Sequence, residues 1–209
     1  MLVKFFNVVV PLVFKPFLTK AEGLENIPAS GAVVVANHAS YLDHFAVGIP
    51  IRRKLYRRIV FLAKKEHFET RWGRFWHEIM DAIPLDRDTG GKEAMKKAAE
   101  LLRNGDLVMI YPEGTRTLTG ELNKGKPGAA KLALTAKVPI VPVGLHNTFK
   151  VWPKKNKLPH PVAKGKMVVG KPIYLDEYFG RENDKEALAE ITDNLMREIA
   201  ELAGKEYKY

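Results

Sequence analysis

The chain of 209 residues has no cysteine, and its only serines are Ser30 and Ser40. The first absence excludes disulfides, zinc–thiolate sites, iron–sulfur clusters and a thiol nucleophile together. The second leaves a serine-hydrolase mechanism little room. Neither serine lies in a G-x-S-x-G elbow, and Ser40 is only two residues from the nearest histidine, His38. No apolar run approaches the ~20 residues that a membrane-spanning helix needs. Internal repeats and low-complexity linkers are also missing. Hydrophobic residues make up 46% and charged residues 28%, which suits a globular chain with a substantial core. The length fits one domain over residues 21–209 with a short appendage over 1–20.

Charge is plentiful but uneven. The net charge is +10, yet 176–209 hold 10 acids against 5 bases, so the basic character is concentrated in 1–175. Two stretches, 51–65 and 150–171, contain seven Lys or Arg each and no acid. Such a field fits a polyanionic partner: nucleic acid, an anionic lipid surface or a phosphorylated substrate. No RNP, helix-turn-helix or KH signature supports nucleic acid. The basic stretches read either as solvated faces or as contacts to lipid headgroups.

Thirteen of the first 18 residues are apolar. Lys4, Asn7, Pro11 and Lys15 recur at spacings of 3, 4 and 4, which on a helix form one narrow polar stripe on a broad apolar surface. The longest uncharged stretch there, 5–14, is too short to span a bilayer. This is the pattern of a segment lying in a membrane interface, kinked by Pro11 and Pro16. A buried N-terminal helix gives the same composition.

Beyond this segment, short β-branched runs alternate with helical patterns. Strands are predicted at 31–36, 58–63, 82–85, 106–111 and 139–144, with edge strands at 164–169 and 172–175. Helices are predicted at 42–55, 67–80, 92–103, 128–136 and 185–203, the last carrying Leu188, Ile191, Leu195, Ile199 and Leu202 at core spacing. The alternation implies an α/β fold: a mostly parallel central sheet flanked by helices on both faces. In such sheets chemistry collects just past the carboxyl ends of strands.

Two polar clusters stand at those ends. The first, 37–43, contains Asn37, His38 and Asp43; the second, 111–117, contains Tyr111, Glu113, Gly114, Thr115 and Arg116. An imidazole with a carboxylate to orient it is a general base. On a regular helix residues five apart point about 140° away from each other, so His38 and Asp43 meet only if the chain bends between them. Otherwise His38 is satisfied by local backbone and Asp43 caps a helix. Gly114 permits close backbone approach, Thr115 offers a hydroxyl, and Arg116 a planar fork for phosphate. Arg87 is a second phosphate contact or a partner of Asp86 or Asp88. The segment 120–126 imitates a P-loop, but Pro127 stands where the magnesium-binding Ser or Thr belongs. That excludes a nucleoside triphosphatase and leaves Lys124 and Lys126 as phosphate contacts. No tight histidine spacing suggests a metal site.

Asn37-His38-x₄-Asp43, followed about seventy residues later by Pro112-Glu113-Gly114-Thr115-Arg116, resembles the glycerolipid acyltransferase family, especially its bacterial 1-acylglycerol-3-phosphate acyltransferases. Blocks at 83–87 and 138–143 agree in order, and the resemblance spans about residues 22–180. It implies that His38 deprotonates the acceptor hydroxyl and that Asp43 orients it. Glu113, Gly114, Thr115 and Arg116 would hold the glycerol phosphate, with Arg87 assisting. The acceptor implied is lysophosphatidate, the product phosphatidate. Acyl-CoA or acyl carrier protein would be the co-substrate, with neither metal nor redox cofactor. The implied location is the cytoplasmic face of the cell membrane, peripheral or monotopic, on anionic phospholipid. Nucleic acid is not an expected partner. Two features depart from the family pattern: the sequence before Arg87, which leaves head-group choice open, and the short, proline-broken N-terminus.

Overall fold

The structure, a computed structural model, describes residues 8–86, 91–161 and 163–209. The run predicted at 31–36 forms β1 (Ala32–Ala36), and all five of its residues are buried. A strand covered on both faces belongs in the middle of a parallel sheet. The sheet order is β3-β2-β4-β1-β5-β6, with β2 (Ile59–Lys64), β3 (Ala82–Leu85), β4 (Leu107–Ile110), β5 (Ile140–His146) and β6 (Lys166–Val169). The first five strands are parallel and β6 runs antiparallel to β5. Val35 is in register with Ile110 on one side and Pro142 on the other. The carboxyl ends of β1 and β4 are therefore neighbours, which brings the two polar clusters together.

Alternation along β1 divides the core in two. Ala32, Val34 and Ala36 join one cluster with residues of α1 (Val10–Phe14), α2 (Asp43–Lys54) and α3 (Arg71–Ile79). Val33 and Val35 join the other, with α4 (Lys92–Arg103), α5 (Gly128–Ala136) and α7 (Lys185–Ala203). The expected sheet with helices on both faces is what forms. Gly144 in β5 faces the backbone of Leu202 and Ala203 so closely that a Cβ would collide with it; α7 seats directly on the sheet there.

Three local expectations change. The helix predicted at 67–80 divides into a 3-10 turn (Lys65–Phe68) and α3, because Thr70 Oγ1 accepts the Gly73 N–H at 3.0 Å and caps a new start. The edge strand predicted at 172–175 reduces to one pair of backbone bonds between Ile173 and Ile140. A one-turn helix, α6 (Thr148–Val151), follows β5 unforeseen.

The basic stretch 51–65 is partly internal. Arg52 donates to the carbonyls of Ile59 and Met80, and Arg57 to those of Pro28, Ser30 and Gly105. Arg58 pairs with Asp81 and Asp106. These three arginines join segments at and before the amino ends of β1, β2, β3 and β4.

Helix α1 is two-sided. Val10 and Phe14 are buried, and the Phe14 ring stacks on Phe45 with centroids 3.8 Å apart. Leu12 and Val13 are 65% and 57% exposed. Among the described residues, no helix is long and apolar enough to cross a membrane.

Candidate active site

Where β1 ends, Asn37 prolongs its pairing with a side chain: Oδ1 accepts the Leu145 N–H at 2.8 Å and Nδ2 donates to the Leu145 carbonyl at 3.2 Å. The chain then bends through 39–42, and this bend resolves the five-residue spacing. Asp43, fully buried in the first turn of α2, reaches backward. Its Oδ2 accepts from His38 Nδ1 at 2.8 Å, from Ala39 N–H at 2.7 Å and from Ser40 N–H at 2.8 Å. The carboxylate thus braces the preceding turn and the imidazole; it does not cap its own helix. A carboxylate only accepts, so Nδ1 carries a hydrogen, and in the neutral imidazole Nε2 is the nitrogen with the free lone pair. No described residue bonds Nε2, and His38 lines the main cavity. Ser40 is spent on structure: Oγ donates to the Trp152 carbonyl at 2.7 Å and accepts from Leu42 N–H.

The second cluster locks onto the first. Thr117 N–H donates to the His38 carbonyl at 2.9 Å, and His38 N–H donates to Glu113 Oε1 at 2.6 Å. Glu113 Oε2 accepts both the backbone and the side-chain N–H of Asn123, at 2.9 and 3.0 Å. Glu113 is buried and is not among the residues lining the cavity. Expected from the resemblance to hold the glycerol phosphate, it has both of its oxygens bonded to N–H donors of the protein. Burial pushes its pKa up to about 7, against the opposing pull of those three donors.

Gly114, Thr115, Arg116 and Lys126 line the cavity with His38. Gly114 adopts φ 71°, a left-handed turn that glycine allows without strain. The Arg116 guanidinium lies 3.7 Å over the Tyr41 ring, which packs against Trp152. Lys126 is held by a bond from its N–H to the Pro112 carbonyl, and its side chain passes over Gly114. Arg87 lies outside the described residues. The cavity measures about 500 Å³, and its described lining includes Lys64, Arg116, Lys126 and Lys154 but no carboxylate. Leu62, Leu85, Met95 and Ile110 supply apolar wall.

Three participants received no such role from the sequence. Asn123 completes the Glu113 clamp. His44, next after Asp43 in the chain, lines the cavity. Tyr111 stacks on His38, with ring centroids 3.9 Å apart and planes 12° apart. An aromatic at a strand end beside the motif was the one visible signal for the last.

Fold and site together put the chain among α/β enzymes that work at the carboxyl edge of a parallel sheet on an anionic ligand. Comparison with known proteins narrows this. The Acyltransferase family model matches residues 19–146. The chain is 35% identical over 188 residues to the 1-acyl-sn-glycerol-3-phosphate acyltransferase of Bacillus subtilis, covering 89% of this chain and 88% of that protein. A chloroplastic 1-acyl-sn-glycerol-3-phosphate acyltransferase of Brassica napus is 31% identical over 76% of this chain, which spans 46% of that relative's length. The crystal structure of the 1-acyl-sn-glycerophosphate acyltransferase PlsC from Thermotoga maritima superposes with a TM-score of 0.71 at 25% identity, over 99% of this chain and 80% of that one. The chain belongs to the acyltransferase family.

Proposed function

We propose that this acyltransferase moves a fatty acyl group from an acyl-CoA or acyl carrier protein thioester to the free hydroxyl of 1-acyl-sn-glycerol-3-phosphate, giving phosphatidate. The observation carrying this reading is the His38–Asp43 pair, 2.8 Å apart, at a cavity whose described lining combines the cations Lys64, Arg116, Lys126 and Lys154 with apolar Leu62, Leu85, Met95 and Ile110. Such a lining suits a molecule that carries both a phosphate and an acyl chain. The relatives' names point to the same acceptor.

In this mechanism His38 Nε2 takes the acceptor proton as the hydroxyl oxygen attacks the thioester carbonyl. The tetrahedral intermediate collapses, the C–S bond breaks, and the thiolate leaves with the proton from the imidazolium. Ester and thiol are the products, and no acyl-enzyme forms. Arg116, Lys126 and the Thr115 hydroxyl bind the phosphate, with Arg87 assisting. Holding both substrates in place supplies up to ~7–11 kcal/mol of the barrier reduction in favourable cases. No metal or redox cofactor enters. Thioester consumption by the purified protein tests the acceptor, with lysophosphatidate, lysophosphatidylcholine and glycerol 3-phosphate compared. Turnover is expected with lysophosphatidate and at least tenfold less with the others. Preference for another acceptor moves the substrate; no turnover with either donor overturns the activity.

The same reading places the enzyme on anionic phospholipid at the cytoplasmic face of the membrane, with the exposed Leu12 and Val13 of α1 in the lipid interface. The double variant Leu12→Glu/Val13→Glu is expected to lose sedimentation with phosphatidylglycerol vesicles while keeping its melting temperature. Undiminished sedimentation would remove α1 from the membrane contact.

A further inference from the structure

Hydrogen bonding alone does not fix the plane of the base. Besides its covalent attachment at Cγ, the ring of His38 is held at one atom, Nδ1, and that single hydrogen bond leaves the imidazole room to tilt. What restrains the tilt is Tyr111, stacked nearly parallel at 3.9 Å. Tyr111 follows β4 directly and is itself tethered: its hydroxyl lies 3.2 Å from His44 Nδ1, a hydrogen bond. The His44 ring stands edge-on to Tyr111 and to Phe61, at 5.2 Å from each. Since His44 comes next after Asp43, the first turn of α2 restrains His38 twice, through Asp43 in the ring plane and through His44 and Tyr111 at the ring face.

We propose that Tyr111, tethered by His44, is a positioning residue for His38: its ring face fixes the imidazole plane and stabilises the imidazolium that forms as the acceptor is deprotonated. This rests on the base reading given above. An aromatic face attracts a cation, most strongly away from water, and the described side chains leave little room for water between the two rings. The tether also suits the task. Burial, then the neighbouring His38 and Arg116, pushes the His44 pKa well below its usual value, so His44 stays neutral and adds no second cation beside the charged base. Burial raises the Tyr111 pKa, so the hydroxyl keeps its proton for the tether.

The test compares Tyr111→Phe and Tyr111→Leu with wild type and His38→Ala, using thioester release with lysophosphatidate, and follows the His38 Cε1–H resonance by NMR. Phenylalanine keeps the stacked face and removes only the hydroxyl; its kcat is expected within about fivefold of wild type. Leucine keeps apolar bulk without a π face; its kcat is expected to fall about 10- to 100-fold with KM changed less than threefold. In wild type the His38 resonance, assigned by its loss in His38→Ala, is expected upfield of the exposed His160 through the Tyr111 ring current. Wild-type kcat in Tyr111→Leu, or an effect on KM alone, would overturn the proposal while the base reading stands. An unshifted His38 resonance in the wild-type protein would overturn it even if the leucine variant does not fold. Turnover surviving His38→Ala would remove the base reading and this proposal together.

Discussion

Replacing His38 with alanine is expected to lower kcat by about 10²–10⁴-fold, the range that a positioned general base contributes, and to leave the fold intact. The geometry separates the two effects. The backbone of His38 is anchored independently of its side chain, with the N–H on Glu113 and the carbonyl on the Thr117 N–H. The imidazole adds only the Nδ1 bond to Asp43, whose Oδ2 retains the N–H groups of Ala39 and Ser40 after the substitution. The two loops therefore stay locked while the proton acceptor disappears. The two polar side chains nearest in sequence are already engaged, Ser40 bonded on both sides and His44 with Tyr111. Thioester release beside a thermal melt makes the check. A folded His38→Ala enzyme with wild-type turnover would end the general-base reading. Asp43→Asn is expected to lose rate on the same scale, because a neutral amide no longer stabilises the imidazolium and enforces its orientation less well.

The fold was largely legible because its signals are local. Ala32–Ala36 is a β-branched run that only a doubly covered strand accommodates, and the core stripe of α7 survives from sequence to structure with its ends marked by Asp184 and Gly204. The failures have equally local causes. Thr70 competes successfully as a cap inside a pattern that otherwise continues as helix, and residues 148–151 are too few to show a period. The site was legible only in part. Its motif residues could be named, but what each side chain faces depends on segments that are distant in the chain. Glu113 reads as a ligand contact because it lies among Gly114, Thr115 and Arg116. Its real partners are a backbone N–H 75 residues away and Asn123. The Tyr111 stack on His38 likewise needs β1 and β4 to be adjacent in register, which no spacing rule provides.

Glu113 gives the second large effect, and its kinetics discriminate between a positioning residue and a head-group contact. Its two oxygens accept three N–H donors. Glutamine offers one oxygen and turns an NH₂ toward at least one donor, which leaves a buried N–H unpaired at a cost of about 1–3 kcal/mol. Alanine leaves all three without Glu113 and should cost more. Because Glu113 fixes the backbone of His38, Glu113→Gln is expected to lower kcat tenfold or more while KM for lysophosphatidate changes little. A direct phosphate contact would instead raise KM. Stability carries a second mark. The folded-state pKa of about 7 lies above the ordinary 4.5, so the native protein holds this proton more tightly than the unfolded chain does. The resulting stabilisation is full below pH 4.5 and is lost as pH rises through 7, a change on the order of 3 kcal/mol. Denaturant titrations at pH 5 and pH 8 should therefore show wild type losing its advantage over Glu113→Gln at the higher pH. An advantage that stays level between pH 5 and pH 8 would mean that the three N–H bonds outweigh burial and keep Glu113 charged throughout. A KM effect without a kcat effect would return Glu113 to the substrate.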